Sequence, residues 1–301
     1  MIRKNDNPQR LIPLLVLIFA LAASAALADR EVNESGAAAA DGMVMIENIV
    51  GSITVIGWDK NEIQVAGTLG EDVEDLMVDF GRKKSRIKVV YPRKSRNISQ
   101  GADLVIHVPA GSKVEVECVS ASVEVSGVSG EVEGSSISGD VTITGPCRSI
   151  EAESISGDVL IDGGASEVEA ASISGKVKVR GDVGEVDAET VSGRIDLDFT
   201  RYLKLDLESV SGSATVQGEL DSEGSFSFDL HSGDLTLVVP ADVSADFEIE
   251  TFSGEIDNNF GQKSRKTSKY TPGRELAFTN GAGEARVRIS TFSGDVVIKK
   301  K

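Results

Sequence analysis

The sequence predicts an all-β protein that folds as a single parallel β-solenoid, with flattened, two-sheeted coils and a right-handed path. Three observations predict this fold class. A Ser-Gly phrase returns at a nearly constant interval, apolar residues alternate within each repeat, and no window beyond the first 28 positions has helical periodicity. A fixed period of about 20 residues indicates one supersecondary unit stacked on copies of itself.

The repeat phrase has seven positions: an apolar residue, Ser, Gly, any residue, an apolar residue, any residue and an apolar residue. The spacing of its copies is constant from Gly139 to Gly193, grows slightly up to Gly254, and nearly doubles before Gly294. A degenerate copy at 119–123 has Ala121 in place of the repeat glycine. The copies are Ser138-Gly139, Ser156-Gly157, Ser174-Gly175, Ser192-Gly193, Ser211-Gly212, Ser232-Gly233, Ser253-Gly254 and Ser293-Gly294.

Each coil is predicted to contain two half-buried strands. Counted from the repeat glycine, apolar or small residues alternate at positions −7 and −5 and again at +2 and +4. The inward-facing set is expected to change parity between position −3, mostly Ser, and position −2, mostly Ile or Val, at a bend by the Ser-Gly pair. Both positions would then face the core. Gly157 and Gly175 are expected to face inward at this corner, to exclude larger side chains and to need a positive φ.

The amino-terminal segment predicts export. Arg3, Lys4 and Arg10 precede an apolar run at 11–28 that ends in Ala-Leu-Ala, which is typical of a secretory signal peptide at 1–28. A retained membrane anchor is the alternative, because an apolar run of about 18 residues can just span a bilayer. The rest of the chain is predicted to form a flexible linker at 29–41, an irregular β part or cap at 42–118, and regular coils at 119–301. The regular coils include a long loop at 258–280.

The chain is strongly acidic, with a formal net charge of −17. Loss of residues 1–28 removes three basic residues and one acidic residue and would leave −19. Such a chain is soluble and repelled by nucleic acid. Stacking brings equal positions together, so position −6 predicts a ladder of carboxylates that is a candidate cation site, with a plain solvated face as the alternative. The members of this cation-ladder candidate are Glu133, Glu151, Glu169, Asp187 and Asp206.

Basic residues are concentrated at 82–96 and in the predicted long loop at 258–280. Long loops on repeat scaffolds often carry function. The loop therefore supplies candidate interaction residues for anionic lipid, for glycan or for the acidic face of another copy, and a plain solvated loop is the alternative. These candidates are Lys263, Arg265, Lys266, Lys269 and Arg274.

Catalytic chemistry has little support in the sequence. His107 and His231 are far apart and neither has metal-ligand spacing. His231 replaces the apolar residue at position −2 and is interpreted as a histidine at the edge of the core. Cys118 occupies inward position −3 and Cys147 a turn, too far apart in the predicted coil for the ~7 Å between Cα atoms that a disulfide allows. We therefore predict two free thiols and no catalytic site, cofactor site or resident metal.

Several phrases resemble the exported bacterial "putative adhesin" repeat family of the toast-rack type, over residues 41–301. The resemblance rests on their order: an alternating segment at 44–59 that ends in Gly-Trp-Asp, the segment at 102–109 that ends in Val-Pro, and the Ser-Gly-Asp coils. The phrase Thr-Phe-Ser-Gly at 251–254 and 291–294 is also similar to that family. The resemblance implies a β-solenoid in the cell envelope with an adhesive or envelope-associated role, and it brings no catalytic residues.

Together these observations predict a non-enzymatic, exported protein of the bacterial periplasm, cell surface or exterior. It would present an extended β-surface to an envelope component, which is a protein, a glycan or an anionic lipid surface, and self-association stays open. Envelope-stress sensing is a variant of this hypothesis. The alternatives are a β-helix enzyme that acts on polysaccharide, with 258–280 as its lid, and a cation-binding structural protein.

Overall fold

The computed structural model describes residues 30–93 and 98–301, so the predicted signal peptide lies outside the described residues. Over these ranges the chain forms 23 β-strands, and no helix in them is long and apolar enough to cross a membrane. In chain order the strands are β1 (Arg30–Ala37), β2 (Met43–Trp58), β3 (Glu62–Leu69), β4 (Asp75–Asp79), β5 (Lys84–Val90), β6 (Ala102–Pro109), β7 (Lys113–Ser126), β8 (Glu131–Ser136), β9 (Val141–Thr144), β10 (Ser149–Ser154), β11 (Val159–Asp162), β12 (Ala165–Ser172), β13 (Lys176–Gly181), β14 (Val183–Thr190), β15 (Arg194–Ser209), β16 (Ser213–Ser232), β17 (Leu235–Val239), β18 (Ala245–Ser253), β19 (Ile256–Asn258), β20 (Arg265–Lys266), β21 (Arg274–Asn280), β22 (Ala285–Ser293) and β23 (Val296–Lys300).

The strands form two faces, each running the length of a solenoid. The first face has the order β4-β5-β2-β7-β8-β10-β12-β14-β15-β16-β22-β18-β21-β20. The second face has the order β1-β3-β6-β2-β7-β9-β11-β13-β15-β16-β17-β23-β19. All pairings between coils are parallel, and the antiparallel ones occur only toward the two ends. The predicted all-β solenoid with two-sheeted coils is confirmed.

A thin apolar core lies between the two faces, and its thickness explains the coil lengths. Position −5 is Ala188 in the coil of Gly193, then Leu207, then Phe228, and all three are buried. Over the same coils the spacing between successive repeat glycines grows step by step. Larger side chains occupy more volume between the faces, so we expect a longer coil to be needed to enclose them at normal packing density.

At both ends the order of coils in space departs from the order in the sequence. β2 lies between β7 on one side and the later strands β5 and β6 on the other. In the same way, β22 lies between β16 and β18, and β23 lies between β17 and β19. Part of the predicted loop at 258–280 is therefore strand: β20 and β21 cover the outer edge of β18 before the chain returns one coil inward.

The amino-terminal part is more regular than the sequence indicates. Residues assigned to a linker form β1, which pairs antiparallel with β3 along its whole length. Its side chains are mostly exposed, so backbone hydrogen bonds to the edge of the sheet, rather than apolar alternation, hold it in place. Residues 42–118 contribute full coils, with β4 and β1 covering the two edges in antiparallel pairings. The covered edges leave fewer free backbone groups for pairing with other chains.

Candidate functional site: an apolar groove along the solenoid

A row of apolar side chains at position −2 lies on the outside of the solenoid, at the corner where the first face ends. The expectation that position −2 faces the core is wrong. These side chains are between 39% and 51% exposed, apart from His231, which takes the same position and is also exposed. In spatial order this apolar ladder is Val119, Ile137, Ile155, Ile173, Val191, Val210, His231, Phe292 and Phe252.

The buried hydroxyl at position −3 explains why position −2 turns outward. Ser172 Oγ donates a hydrogen bond to the carbonyl of Gly157 in the neighbouring coil, 3.0 Å, and accepts one from the amide of Gly175, 2.9 Å. The same arrangement recurs at Ser154 and Ser136. Each hydroxyl thus spans the bend between −3 and 0, and the two residues between them face solvent. The alternation of inward and outward residues is therefore interrupted by two successive outward residues, at positions −2 and −1, rather than by two successive inward ones.

The repeat glycines face inward at this corner, as predicted, but for a different reason. Gly157 and Gly175 are buried and neither has a positive φ. A Cβ built on Gly175 would lie 2.0 Å from the carbonyl oxygen of Gly157, and one on Gly157 would lie 2.1 Å from that of Gly139. Close approach of the neighbouring backbone, rather than a left-handed conformation, requires glycine here.

The apolar ladder forms one wall of a groove with a volume of about 750 Å³. Position −3 lies at its base, and position −4 forms the opposite wall, where most of the side chains are carboxylates. Eight coils contribute to it, so at ~4.8 Å per coil it is roughly 34 Å long. The acidic wall contains Glu153, Glu189, Glu208 and Asp229, with Ala171 between the first two and Ser135 and Ser290 at its ends.

Aromatic rings form one end of the apolar ladder. His231 and Phe292 stack with centroids 5.1 Å apart, and Phe292 and Phe252 stack with centroids 4.9 Å apart. The interpretation of His231 as a core-edge residue is wrong, because its ring packs outside the core against Phe292. Sequence reasoning missed this stack because the coil of Phe292 lies between those of His231 and Phe252.

The cation-ladder candidates lie side by side on the first face, as the period requires. Glu133, Glu151, Glu169, Asp187 and Asp206 are in register in successive coils. Burial, and then the charge of Glu133, raise the pKa of Glu151, while burial and then Asp206 raise the pKa of Asp187. Among the described residues, no group of three or more His, Cys, Asp or Glu is arranged to hold a metal ion. Cation binding by this ladder stays a prediction.

We expect Glu151→Gln to stabilise the protein at low salt by roughly a few tenths of a kcal/mol, since it removes repulsion between coils. A carboxyl whose pKa is raised by folding contributes stability below its unfolded pKa, and this is lost as pH rises through the folded value. Stability should therefore rise as pH falls from neutral toward the ordinary glutamate value of 4.5. Melting temperatures across NaCl concentration and pH test both expectations.

Glu124→Gln is the matched control, because its neighbours on the second face are Thr54 and Thr142 rather than carboxylates. It should change the salt dependence less than Glu151→Gln does. Melting temperatures independent of NaCl would contradict the repulsion. A rise specific to CaCl₂ at matched ionic strength, lost in Glu151→Gln with Glu169→Gln, would establish a cation site.

The candidate interaction residues at 263–274 lie at the end of the solenoid, outside the groove. Arg265 pairs with Glu275 at 2.7 Å, and Arg274 pairs with Glu255 at 3.5 Å. Lys263, Lys266 and Lys269 belong to the same exposed or half-exposed segment, which crosses the outer edge of β18. The structure therefore brings these five residues together at one end but does not join them to the cation ladder or the groove.

The two cysteines are free, as predicted. Cys118 lies at the base of the groove in the position −3 row, and burial raises its pKa to about 12. Burial also raises the pKa of Cys147 to about 11, and its Sγ donates to the carbonyl of Val128. Both therefore stay protonated thiols at neutral pH. His107 is also placed away from the groove, where it stacks on Trp58 with centroids 4.9 Å apart.

Comparison with known families agrees with this geometry. The model of the Toastrack DUF4097 family matches residues 47–299. The chain belongs to the Toastrack family. The resemblance to toast-rack proteins in the sequence phrases is thus confirmed, and the match includes both ends where the coil order changes. No curated protein matches the chain.

Solved structures with the same fold are distant in sequence. A "putative adhesin" from Parabacteroides merdae ATCC 43184 is 10% identical, with a TM-score of 0.53, covering 91% of this chain and all of that one, 100%. A "putative lipid binding protein" from Parabacteroides distasonis ATCC 8503 is 12% identical, with a TM-score of 0.53 and coverage of 90% and 97%. A "putative adhesin" from the same strain is 10% identical, with a TM-score of 0.52 and coverage of 89% and 97%. At 10% to 12% identity, these likenesses show the fold alone.

Proposed function

We propose that this Toastrack protein is a non-enzymatic, exported protein of the bacterial cell envelope that binds its partner along the groove. The observation that carries the proposal is the apolar ladder, in which large apolar side chains stay about half exposed at one position of successive coils. Soluble proteins rarely expose contiguous apolar surface of this kind unless it is an interaction site. The same corner recurs in successive coils, so a partner meets one continuous row.

Two further observations support this function. The basic and apolar segment at 1–28 supports export, with the periplasm, cell surface or exterior as the destination. Solved structures of the same fold, with names that refer to adhesion and lipid binding, are compatible with a binding role. The carboxylates of the groove favour binding over hydrolysis, because they recur at one position of the coil rather than forming a single distinctive pair.

Site-specific photo-crosslinking in the native host tests the proposal. A photoreactive residue at Ile137, Ile173 or Val210 should give the same partner adduct, since all three belong to the ladder. The control position is Arg180, which is exposed on the second face. Adducts identical at Arg180 and at the ladder would contradict binding along the groove.

The enzymatic alternative needs a separate measurement. We expect the purified protein to leave envelope polysaccharides intact when reducing ends are assayed over time. Release of oligosaccharides by the intact protein, abolished by deletion of 259–279, would contradict the non-enzymatic function and favour the predicted lid.

A further inference from the structure

The charge of the groove selects among partners. None of the described residues that line it is Lys or Arg, whereas four carboxylates form one wall. Burial, followed by the charges of Asp187 and Glu208, raises the pKa of Glu189, as expected where negative charges accumulate without a cation. An anionic ligand would add to this repulsion. A partner with positive charge beside an apolar surface would complement both walls.

The spacing of the ladder selects the shape of the partner. Successive ladder residues are ~4.8 Å apart along the solenoid axis. The apolar stripe of an α-helix has one residue per turn, which is one every ~5.4 Å along the helix axis. Over five turns matched to five coils, the stripe residues therefore shift by about 3 Å relative to the ladder residues. An extended chain has a side chain on one face every ~6.6 Å. Over five such side chains matched to five coils, the shift relative to the ladder residues is about 9 Å, which is nearly two coils. A helix therefore keeps its stripe in contact with the ladder over a longer distance.

We infer that the groove binds a cationic amphipathic α-helix of a polypeptide partner. Its apolar stripe packs on the ladder between Val119 and Val210, and Lys or Arg on one flank pair with Glu153, Glu189 and Glu208. The six coils of this segment span roughly 24 Å, which corresponds to about 16 helical residues. This inference rests on the proposed function and names the chemistry of the partner.

Two other occupants fit the groove less well. A second copy that packed its own ladder on this one would bring serines of position −1, rather than cations, near the acidic wall, because that position is Ser in every coil from Ser138 to Ser293. A bilayer surface with anionic lipids would be repelled by the same carboxylates. Both nevertheless give distinct results in the experiment below.

The test uses the purified protein over residues 29–301 and a fluorescently labelled peptide of Leu and Lys, about 16 residues long, with Leu at helical spacing and Lys on the flanks. We expect saturable binding by anisotropy, weakened by NaCl. A peptide of the same composition with Leu and Lys shuffled off the stripe, and one with Glu in place of Lys, should each bind at least about tenfold more weakly.

Variants assign the binding to the groove. Glu189→Gln with Glu208→Gln, and separately Ile155→Ser with Ile173→Ser, should each raise Kd by about tenfold or more. The matched control is Glu167→Gln with Glu185→Gln, which makes the same charge change at position −8 of the first face, away from the groove. Its Kd should change less than about twofold. Circular dichroism melts confirm that each variant is folded.

Any one of the following results would overturn the inference. The shuffled peptide binds as tightly as the amphipathic one, or the control variant weakens binding as much as the groove variants do. The protein sediments with vesicles of phosphatidylethanolamine and phosphatidylglycerol in a ladder-dependent way but does not bind the peptide. The protein forms a dimer that Ile155→Ser with Ile173→Ser dissociates. Crosslinks at Ile173 in the native host, together with no peptide binding, would refute the helical partner and leave the proposed function intact. Peptide binding without ladder-specific crosslinks would contradict the proposed function instead.

Discussion

Gly175→Val is expected to lower the free energy of unfolding by more than about 2 kcal/mol. The new Cβ would lie 2.0 Å from the carbonyl oxygen of Gly157, which is backbone of the adjacent coil and cannot rotate away. The backbone of residue 175 would have to move away from Gly157, and this movement would disturb the hydrogen bond from the Gly175 amide to Ser172. The cost therefore combines overpacking with the loss of a buried hydrogen bond.

Urea denaturation followed by circular dichroism measures this loss. Gly134→Ala is the matched control: its Cβ would meet the Val141 side chain at 3.1 Å, and alanine already occupies the equivalent position at Ala152 and Ala170. We expect it to change stability by less than about 1 kcal/mol. An unchanged unfolding midpoint for Gly175→Val would contradict the close contact between coils.

Asn48→Ala is the second large effect, expected to cost about 3 kcal/mol. Asn48 is buried at the amino-terminal end of the position −3 row. Its Nδ2 donates to the carbonyls of Val50 and Ala102, each at 3.1 Å, and its Oδ1 accepts from the Ile49 amide and the Tyr91 hydroxyl. Alanine would remove these four hydrogen bonds, and only the Tyr91 hydroxyl and the Val50 carbonyl would keep the bond that they already make to each other.

A double-mutant cycle with Tyr91→Phe measures how far the two side chains depend on each other. Tyr91→Phe alone should cost about 1 kcal/mol, and the double variant should cost less than the two single changes together. Strict additivity would show that the Tyr91 hydroxyl and Asn48 act independently. The cycle also tests whether this asparagine does for the first coil what serine does in the later ones.

Much of the fold follows from periodicity, because stacked coils repeat both their core and their register. The constant spacing of the first repeats places Ile150 next to Val168 and Glu151 next to Glu169, as the structure confirms. The order of the last coils does not follow from it. The phrase Thr-Phe-Ser-Gly occurs in both β18 and β22, so either could stack on β16 by local pattern, and the antiparallel cover by β21 decides between them.

The groove is only partly visible in the sequence, because an apolar residue such as Ile155 is read as a core residue. The signal that identifies it is the short separation between Ser154 and Gly157. Both face inward, so the two residues between them cannot. Recognition that the serine hydroxyl spans this bend would have placed Ile155 outside. The carboxylates of the acidic wall also recur at one position of the repeat, but their juxtaposition with the ladder depends on that placement.

The exchanged coil order also affects how the molecule is completed during synthesis from the amino terminus. β18 and β19 leave the ribosome before β22 and β23, although the later strands lie between them and β16 and β17. Until then, β18 either stays about two strand spacings, ~9.6 Å, from β16 or pairs with β16 and is displaced when β22 is made. A chain interrupted after 258 therefore lacks an interior coil rather than an outer one. The mature register at this end is set only once β23 has been made.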